Sequence, residues 1–298
     1  MNISRRDFLK FCGLSAAAVG LSATDLIRLE EALANPTGPA VIWLQGSGCT
    51  GCSESFLNRI STEGPTTAAD VLVNAINLVY HPNLMSLAGQ DAVAQAQAAY
   101  RNGGYLLAVE GGIPTAFGGR ACHAWTYNEQ EVTFEQAVRA LAAKAAGILC
   151  IGTCAAWGGI PAAPPNPTGV KGVKELTGLD TINIPGCPTH PDWIVWAVVQ
   201  LLTGQPIDLD AFGRPIHFFS TSVHDLCPRR GGVMATTYGR DNQCLMDLGC
   251  RGPMTMSNCP MQKWNNQVNW CVDANAPCIG CTEPGFPGTN PFYTPRGQ

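Results

Sequence analysis

Three things are missing from this 298-residue chain, and each absence narrows its function. It has no apolar run long enough to cross a membrane. The stretch from Phe11 to Ala23 falls well short of the ~20 residues a spanning helix needs. The tail from Thr282 to Gln298 is polar and rich in Pro and Gly, so no C-terminal membrane helix is expected, and any membrane link must come from a partner. It has no basic patch: the net charge is −4, with lysine and arginine scattered, which argues against a nucleic-acid partner. It also lacks internal repeats and low-complexity tracts. Cysteine, by contrast, is abundant, with 14 in the chain.

The N-terminus decides what those cysteines can be. Arg5 and Arg6 in SRRDFLK, the apolar run to Ala23, and the small residues Ala32-Leu33-Ala34 form an export signal of the twin-arginine kind over residues 1–34. Cleavage is expected after Ala34, Cys12 leaves with the signal, and the destination is the periplasm. The twin-arginine route carries proteins already folded in the reducing cytoplasm, which favours cysteines that hold a metal over disulfides. A disulfide scaffold is in any case a device of short chains, and residues 35–298 are long enough to bury a core.

From residue 40 to about 203, short apolar runs alternate with helix-like stretches. The runs are Val41 to Leu44, Ala75 to Tyr80, Tyr105 to Val109, Gly147 to Ile151 and Thr181 to Ile184. The helical stretches are Glu54 to Ile60, Ala88 to Arg101, Phe134 to Ala146, Val170 to Leu176 and Pro191 to Leu202. Such alternation predicts an α/β domain over residues 35–205, a flavodoxin-like doubly wound parallel sheet. From Pro206 the pattern fades and Gly, Pro, Asn and Met become frequent. Residues 206–298 are therefore read as a second, irregular domain organised by metal instead of a packed core.

The cysteines follow this division. Cys49 and Cys52 come after the first strand in GSGCTGCSES, Cys154 after the fourth in GTCAAWGG, and Cys187 after the fifth in PGCPTHP. Ligands in an open parallel sheet gather outside the carboxyl ends of its strands, so topology would unite these four. The last third holds His224, Cys227, Cys244, Cys250, Cys259, Cys271, Cys278 and Cys281, enough for two four-ligand centres. In HDLC, His224 sits one turn from Cys227, at ligand spacing. Four thiolates suit zinc or an iron–sulfur cluster. Paired short spacings, the usual zinc pattern, are limited to Cys49/Cys52 and Cys278/Cys281, and glycines beside the ligands leave room for amides to reach sulfur, so iron–sulfur is favoured. Cys122 and Cys150 read as small buried hydrophobes. His81, His123, His190 and His217 lack the ligand spacing of His224.

In order and joint presence, WLQGSGCTGCSES, VEGGIP, GTCAAWGG, PGCPTHPDW, HDLC, CLMDLGCRGP and CIGC resemble the small subunit of nickel-iron hydrogenases over essentially the whole mature chain. The resemblance implies three clusters. Cys49, Cys52, Cys154 and Cys187 would hold a proximal 4Fe-4S cluster, and His224, Cys227, Cys244 and Cys250 a distal 4Fe-4S cluster. Cys259, Cys271, Cys278 and Cys281 would hold the medial cluster. Many members have proline at the position of Cys271 and a 3Fe-4S medial cluster; the fourth thiolate here implies 4Fe-4S. Gly51 and Gly159 stand where oxygen-tolerant members carry extra cysteines. The nickel-iron site would lie in a large partner subunit, since this chain has no spare CxxC pairs for it, with a periplasmic multihaem cytochrome c as external acceptor. The competing expectation is a stand-alone multi-cluster ferredoxin-like carrier.

Overall fold

A computed structural model describes residues 40–61, 66–74, 76–85 and 87–295. The expected export signal, residues 1–34, lies outside the described residues. Five strands form the main sheet: β1 (Ala40–Gln45), β2 (Asn77–Tyr80), β3 (Leu106–Glu110), β4 (Gly147–Ile151) and β5 (Ile182–Ile184). They pair in the order β2-β1-β3-β4-β5, every neighbour parallel. That is the flavodoxin-like order of the sequence reading, with its crossovers filled by helices. Every residue of β3 is buried, as are Val41 to Leu44 of β1, because a parallel sheet is covered on both faces and leaves no polar alternation.

The period of two along β1 separates two cores. Ile42 and Leu44 face one side, where Leu107, Val109, Phe134 and Val138 join them. Helices α3 (Gly89–Asn102), α4 (Phe134–Ala142), α5 (Thr153–Trp157) and α6 (Val173–Thr177) supply this layer. Trp43 faces the other side with Ala108, Leu149, Trp193 and Ile194, under α1 (Gly51–Leu57), α2 (Ala68–Asn74) and α7 (Pro191–Leu202). The start of α4 is fixed by a capping box: the Gln136 amide donates to Thr133 Oγ1 at 3.2 Å, and the Thr133 amide donates to Gln136 Oε1 at 2.9 Å.

Several local expectations shift. Helix α2 and the hairpin of His123–Tyr127 with Gln130–Thr133 were not anticipated. The helix expected from Val170 starts only at Val173, because Val170 and Lys171 pair antiparallel with Ile113–Pro114. The helix expected to reach Ala146 stops at Ala142.

After α7 the chain keeps only short helices, Ile216–Phe219, Val223–Leu226 and Cys259–Gln262, with isolated bridges. The expectation that no packed core organises this part needs correction. Val223, Ala235, Leu245, Leu248, Trp270 and Val272 form an apolar cluster of their own, with Cys227, Cys250 and Cys259 packed against it. Apart from Val223 and Leu248, which sit on single short helical turns, its members come from loops, so no helical or strand period announces them.

Polar contacts tie the part after α7 to the sheet domain and to itself. His190 accepts the Asp192 amide on Nδ1, which leaves Nε2 to donate to the Lys263 carbonyl at 2.5 Å. Trp193 Nε1 donates to Asn258 Oδ1 at 3.1 Å. Arg214, 3% exposed, donates through Nε to Asp210 and through Nη1 to the Thr282 carbonyl and Glu283. Among the described residues no helix is long and apolar enough to cross a membrane.

Candidate metal centres

The carboxyl edge of the sheet gathers the first four thiols. Cys49 follows β1, Cys52 lies in the first turn of α1, Cys154 in α5 after β4, and Cys187 after β5. They are near enough for their charges to interact: Cys52 faces Cys154 and Cys187, Cys154 faces Cys187 and Cys49, and Cys187 faces Cys49. Burial, then the neighbouring Glu110, pushes the Cys52 thiol well up. Burial, then Cys187 and Cys49, pushes Cys154 up to about 12. Crowded thiols that resist ionisation are a donor set that needs a cation to become thiolates. Amides already point at the sulfurs, from Thr189 to Cys52 and from Ile160 to Cys154.

The cradle is shaped by glycine at two points. Gly152 has φ +85°, and a Cβ there would stand 2.5 Å from Cys52 Sγ. Gly159 has φ +53°, and its Cβ would stand 3.0 Å from Cys154 Sγ. Side chains at either place would fill the space that a group bound to these sulfurs requires.

Beneath the CxxC turn lies a residue that sequence reasoning missed. Glu110, 3% exposed at the end of β3, accepts the amides of Cys52 and Ser53 on Oε1, each at 3.1 Å. Its Oε2 accepts Trp43 Nε1 at 3.0 Å and Ser53 Oγ at 2.5 Å. His81 accepts the Asn83 amide on Nδ1, so its Nε2 donates to Ser53 Oγ at 3.2 Å. Burial pushes the His81 pKa down to about 4, so the imidazole is neutral at pH 7. The available signal was a lone acid ending an apolar strand, in VEGG.

The remaining eight candidates form two neighbouring groups. His224, Cys227, Cys244 and Cys250 line one small cavity with Arg229 and Trp270. His224 rides on Val223–Leu226, whose first turn is capped by Ser222 Oγ accepting the Asp225 amide at 3.0 Å. Cys227 receives the Arg229 amide and faces Cys250 and Cys244. In the other group Cys281 faces Cys259, Cys278 and Cys271, and burial pushes Cys259 and Cys278 up to about 12. Ser257 Oγ lies 3.0 Å from Cys259 Sγ. Cys271 is exposed in the isolated chain. It also faces Cys250, so the two groups adjoin.

All thirteen described cysteines are free thiols. Cys150 is fully buried in the sheet core and Cys122 packs at its border, apart from the three groups. Among the described residues no three His, Cys, Asp or Glu side chains converge as a single ion demands. A polynuclear cluster spreads its ligands over several metal atoms and makes no such demand.

Comparison with known proteins shows the family. The family described as the C-terminal part of the NiFe/NiFeSe hydrogenase small subunit matches residues 219–293. The NADH ubiquinone oxidoreductase 20 Kd subunit family matches residues 49–201. The periplasmic [NiFe] hydrogenase small subunit of Solidesulfovibrio fructosivorans is 44% identical over 98% of this chain and 93% of its own. The chain belongs to the NiFe/NiFeSe hydrogenase small-subunit family. The periplasmic [NiFeSe] hydrogenase small subunit of Desulfomicrobium baculatum is 40% identical over 98% of this chain and 99% of that one. The solved [NiFeSe] hydrogenase of Desulfovibrio vulgaris Hildenborough is 40% identical, covers 86% of this chain and 97% of that one, and superposes with a TM-score of 0.79. This small subunit is thus an iron–sulfur, electron-transfer component of an oxidoreductase, and the stand-alone carrier reading finds no support. The oxidoreductase match stops at the sheet domain, whereas the hydrogenase match covers the segment from Phe219 onward.

Proposed function

We propose that this small subunit relays electrons through three clusters between a nickel-iron site in its large-subunit partner and an acceptor in the periplasm. Cys49, Cys52, Cys154 and Cys187 would hold the proximal cluster, and His224, Cys227, Cys244 and Cys250 the distal one. Cys259, Cys271, Cys278 and Cys281 would hold the medial one. The observation that carries the reading is the grouping of thiols: one set at the sheet edge and two adjoining sets in the second domain, in a chain with every described cysteine free. A division at residues 35–205 and 206–298 accords with the two family matches, 49–201 and 219–293. The periplasmic relatives, the twin-arginine signal read in residues 1–34 and the large-subunit partner form one scheme, in which an assembled heterodimer crosses the membrane together.

Bound iron–sulfur clusters supply one-electron oxidation and reduction at each site. The chain contributes position and environment. Amides donated to Cys52, Cys154, Cys227 and Cys250 stabilise negative charge on sulfur, and hydrogen bonds of this kind raise potentials. His224 replaces a thiolate by a neutral imidazole, which makes the distal site less negative and suits it to be the exit, toward an acceptor such as a multihaem cytochrome c.

Cys271 makes the medial site 4Fe-4S in this scheme. The test is electron paramagnetic resonance of the oxidised heterodimer. The native complex is expected to lack a strong 3Fe-4S signal, and Cys271→Pro to acquire one while the other clusters persist. A strong 3Fe-4S signal in the native complex would refute the assignment.

A further inference from the structure

We propose that Thr153 is the positioning residue for the proximal-to-medial electron step, because its hydroxyl ties the main chain beside Cys187 to the main chain of Cys281. The proposal rests on the ligand assignment above and adds a route to it.

Thr153 is 1% exposed. Its Oγ1 accepts the Gly186 amide at 2.9 Å and donates to the Cys281 carbonyl, while its own amide donates to the Gly186 carbonyl at 3.1 Å. Thr153 precedes Cys154, Gly186 precedes Cys187, and Cys281 belongs to the medial group. One hydroxyl therefore fastens two proximal-ligand segments to a medial ligand. Within that clamp the Cys187 amide points toward the Cys281 sulfur. The segments of a proximal ligand and a medial ligand are thereby joined through one hydroxyl.

The next junction repeats the pattern by other means. The Cys278 amide donates to Cys250 Sγ at 3.3 Å, joining a medial to a distal ligand. There the main chain holds the contact, since the Arg251 amide donates to the Cys278 carbonyl at 2.7 Å. Thr255, whose Oγ1 donates to the Arg251 carbonyl at 2.6 Å and accepts from Cys278 Sγ at 3.6 Å, is the counterpart of Thr153 there. Electronic coupling decays steeply with through-space gaps and far less along bonds and hydrogen bonds, so the clamp matters to the rate. In this step one electron leaves the site of Cys154 and Cys187 and arrives at that of Cys281. No bond breaks and no proton moves.

Valine keeps the shape of Thr153 but leaves the Gly186 amide and the Cys281 carbonyl buried without a partner, so that junction must open. The assembled heterodimer carrying Thr153→Val is mixed with hydrogen and freeze-quenched, and the reduced proximal and medial signals are followed by electron paramagnetic resonance. The medial signal is expected to lag several-fold behind that of the wild type. The medial midpoint potential should fall, and hydrogen–deuterium exchange at the partner's site should stay unchanged. Thr153→Ser, which retains the hydroxyl, should restore lag and potential. A wild-type lag and potential in Thr153→Val would overturn the proposal. So would an equal loss of all activities with loss of iron, which would make the clamp an assembly device. If the wild-type complex itself lacked three cluster signals, the ligand assignment would have failed instead.

Discussion

At the scale of single residues, the environment of Glu110 explains why a carboxylate is buried here. Its carboxylate accepts four hydrogen bonds, from two amides, a hydroxyl and an indole N–H. A carboxylate is acceptor-only and satisfies all of them. Glutamine places an NH2 against donors on one side, orphaning at least one buried group at about 1–3 kcal/mol. Glu110→Gln is therefore expected to lower the stability of the chain by about 2 kcal/mol and to loosen the CxxC turn, read as a lower denaturation midpoint and faster loss of the proximal signal on heating. An unchanged midpoint would mean that the turn holds itself. Neither Glu110 nor Thr153 was legible in the sequence as a site residue. Their hydrogen bonds bridge 58 and 128 positions, and such contacts leave no spacing to read. The ligating residue types were legible because metal chemistry restricts them to a few, and thiol is rare elsewhere.

At the scale of elements, what could be read was whatever has a period. The five sheet strands appeared as apolar runs, and parallel topology then placed Cys49, Cys52, Cys154 and Cys187 on one edge without further information. The hairpin His123–Tyr127 with Gln130–Thr133 was missed because it is short, with Gln130 and Glu131 exposed, and carries no buried run. The small core around Trp270 was missed for the opposite reason: it is buried but drawn mostly from loops. The turn from β4 into α5 shows how backbone conformation serves the proximal site. Gly152 reaches φ +85° with the Cys52 sulfur 2.5 Å from where a methyl would go. Gly152→Ala combines left-handed backbone strain of about 1–3 kcal/mol with displacement of a ligand. The expected result is a heterodimer short of one cluster's iron, with its proximal signal diminished and the distal one intact. Full iron content in that variant would show that Cys52 can swing away and still bind.

At the scale of the whole molecule, the sheet edge and the irregular domain place the two ends of the proposed relay differently. The proximal thiols sit where the loops of the sheet converge, while His224 belongs to a segment whose charges largely cancel. Between Val223 and Cys250 lie Arg229, Arg230 and Arg240 against Asp225, Asp241 and Asp247. Arg230 pairs with Asp225 at 2.9 Å, and Arg229 Nη1 donates to the Gln243 carbonyl and to Asn275 Oδ1. Beside Cys244, whose amide donates to the Val233 carbonyl, the loop exposes Val233, 71% accessible, and Tyr238, 51% accessible. Electrostatic steering needs an unbalanced field, which a partner of opposite charge can feel beyond about 10 Å only at low salt. If this face is the exit proposed above, being neutral and partly apolar, it supplies little of it. Electron exchange between the reduced heterodimer and a multihaem cytochrome c, followed by stopped flow, is therefore expected to change by less than about threefold between low and high salt, against the tenfold or more of steered pairs. Val233→Asp should slow that exchange while leaving hydrogen–deuterium exchange at the partner's site untouched. A steep fall with salt in the wild type would instead place the docking face elsewhere on the assembly, away from His224.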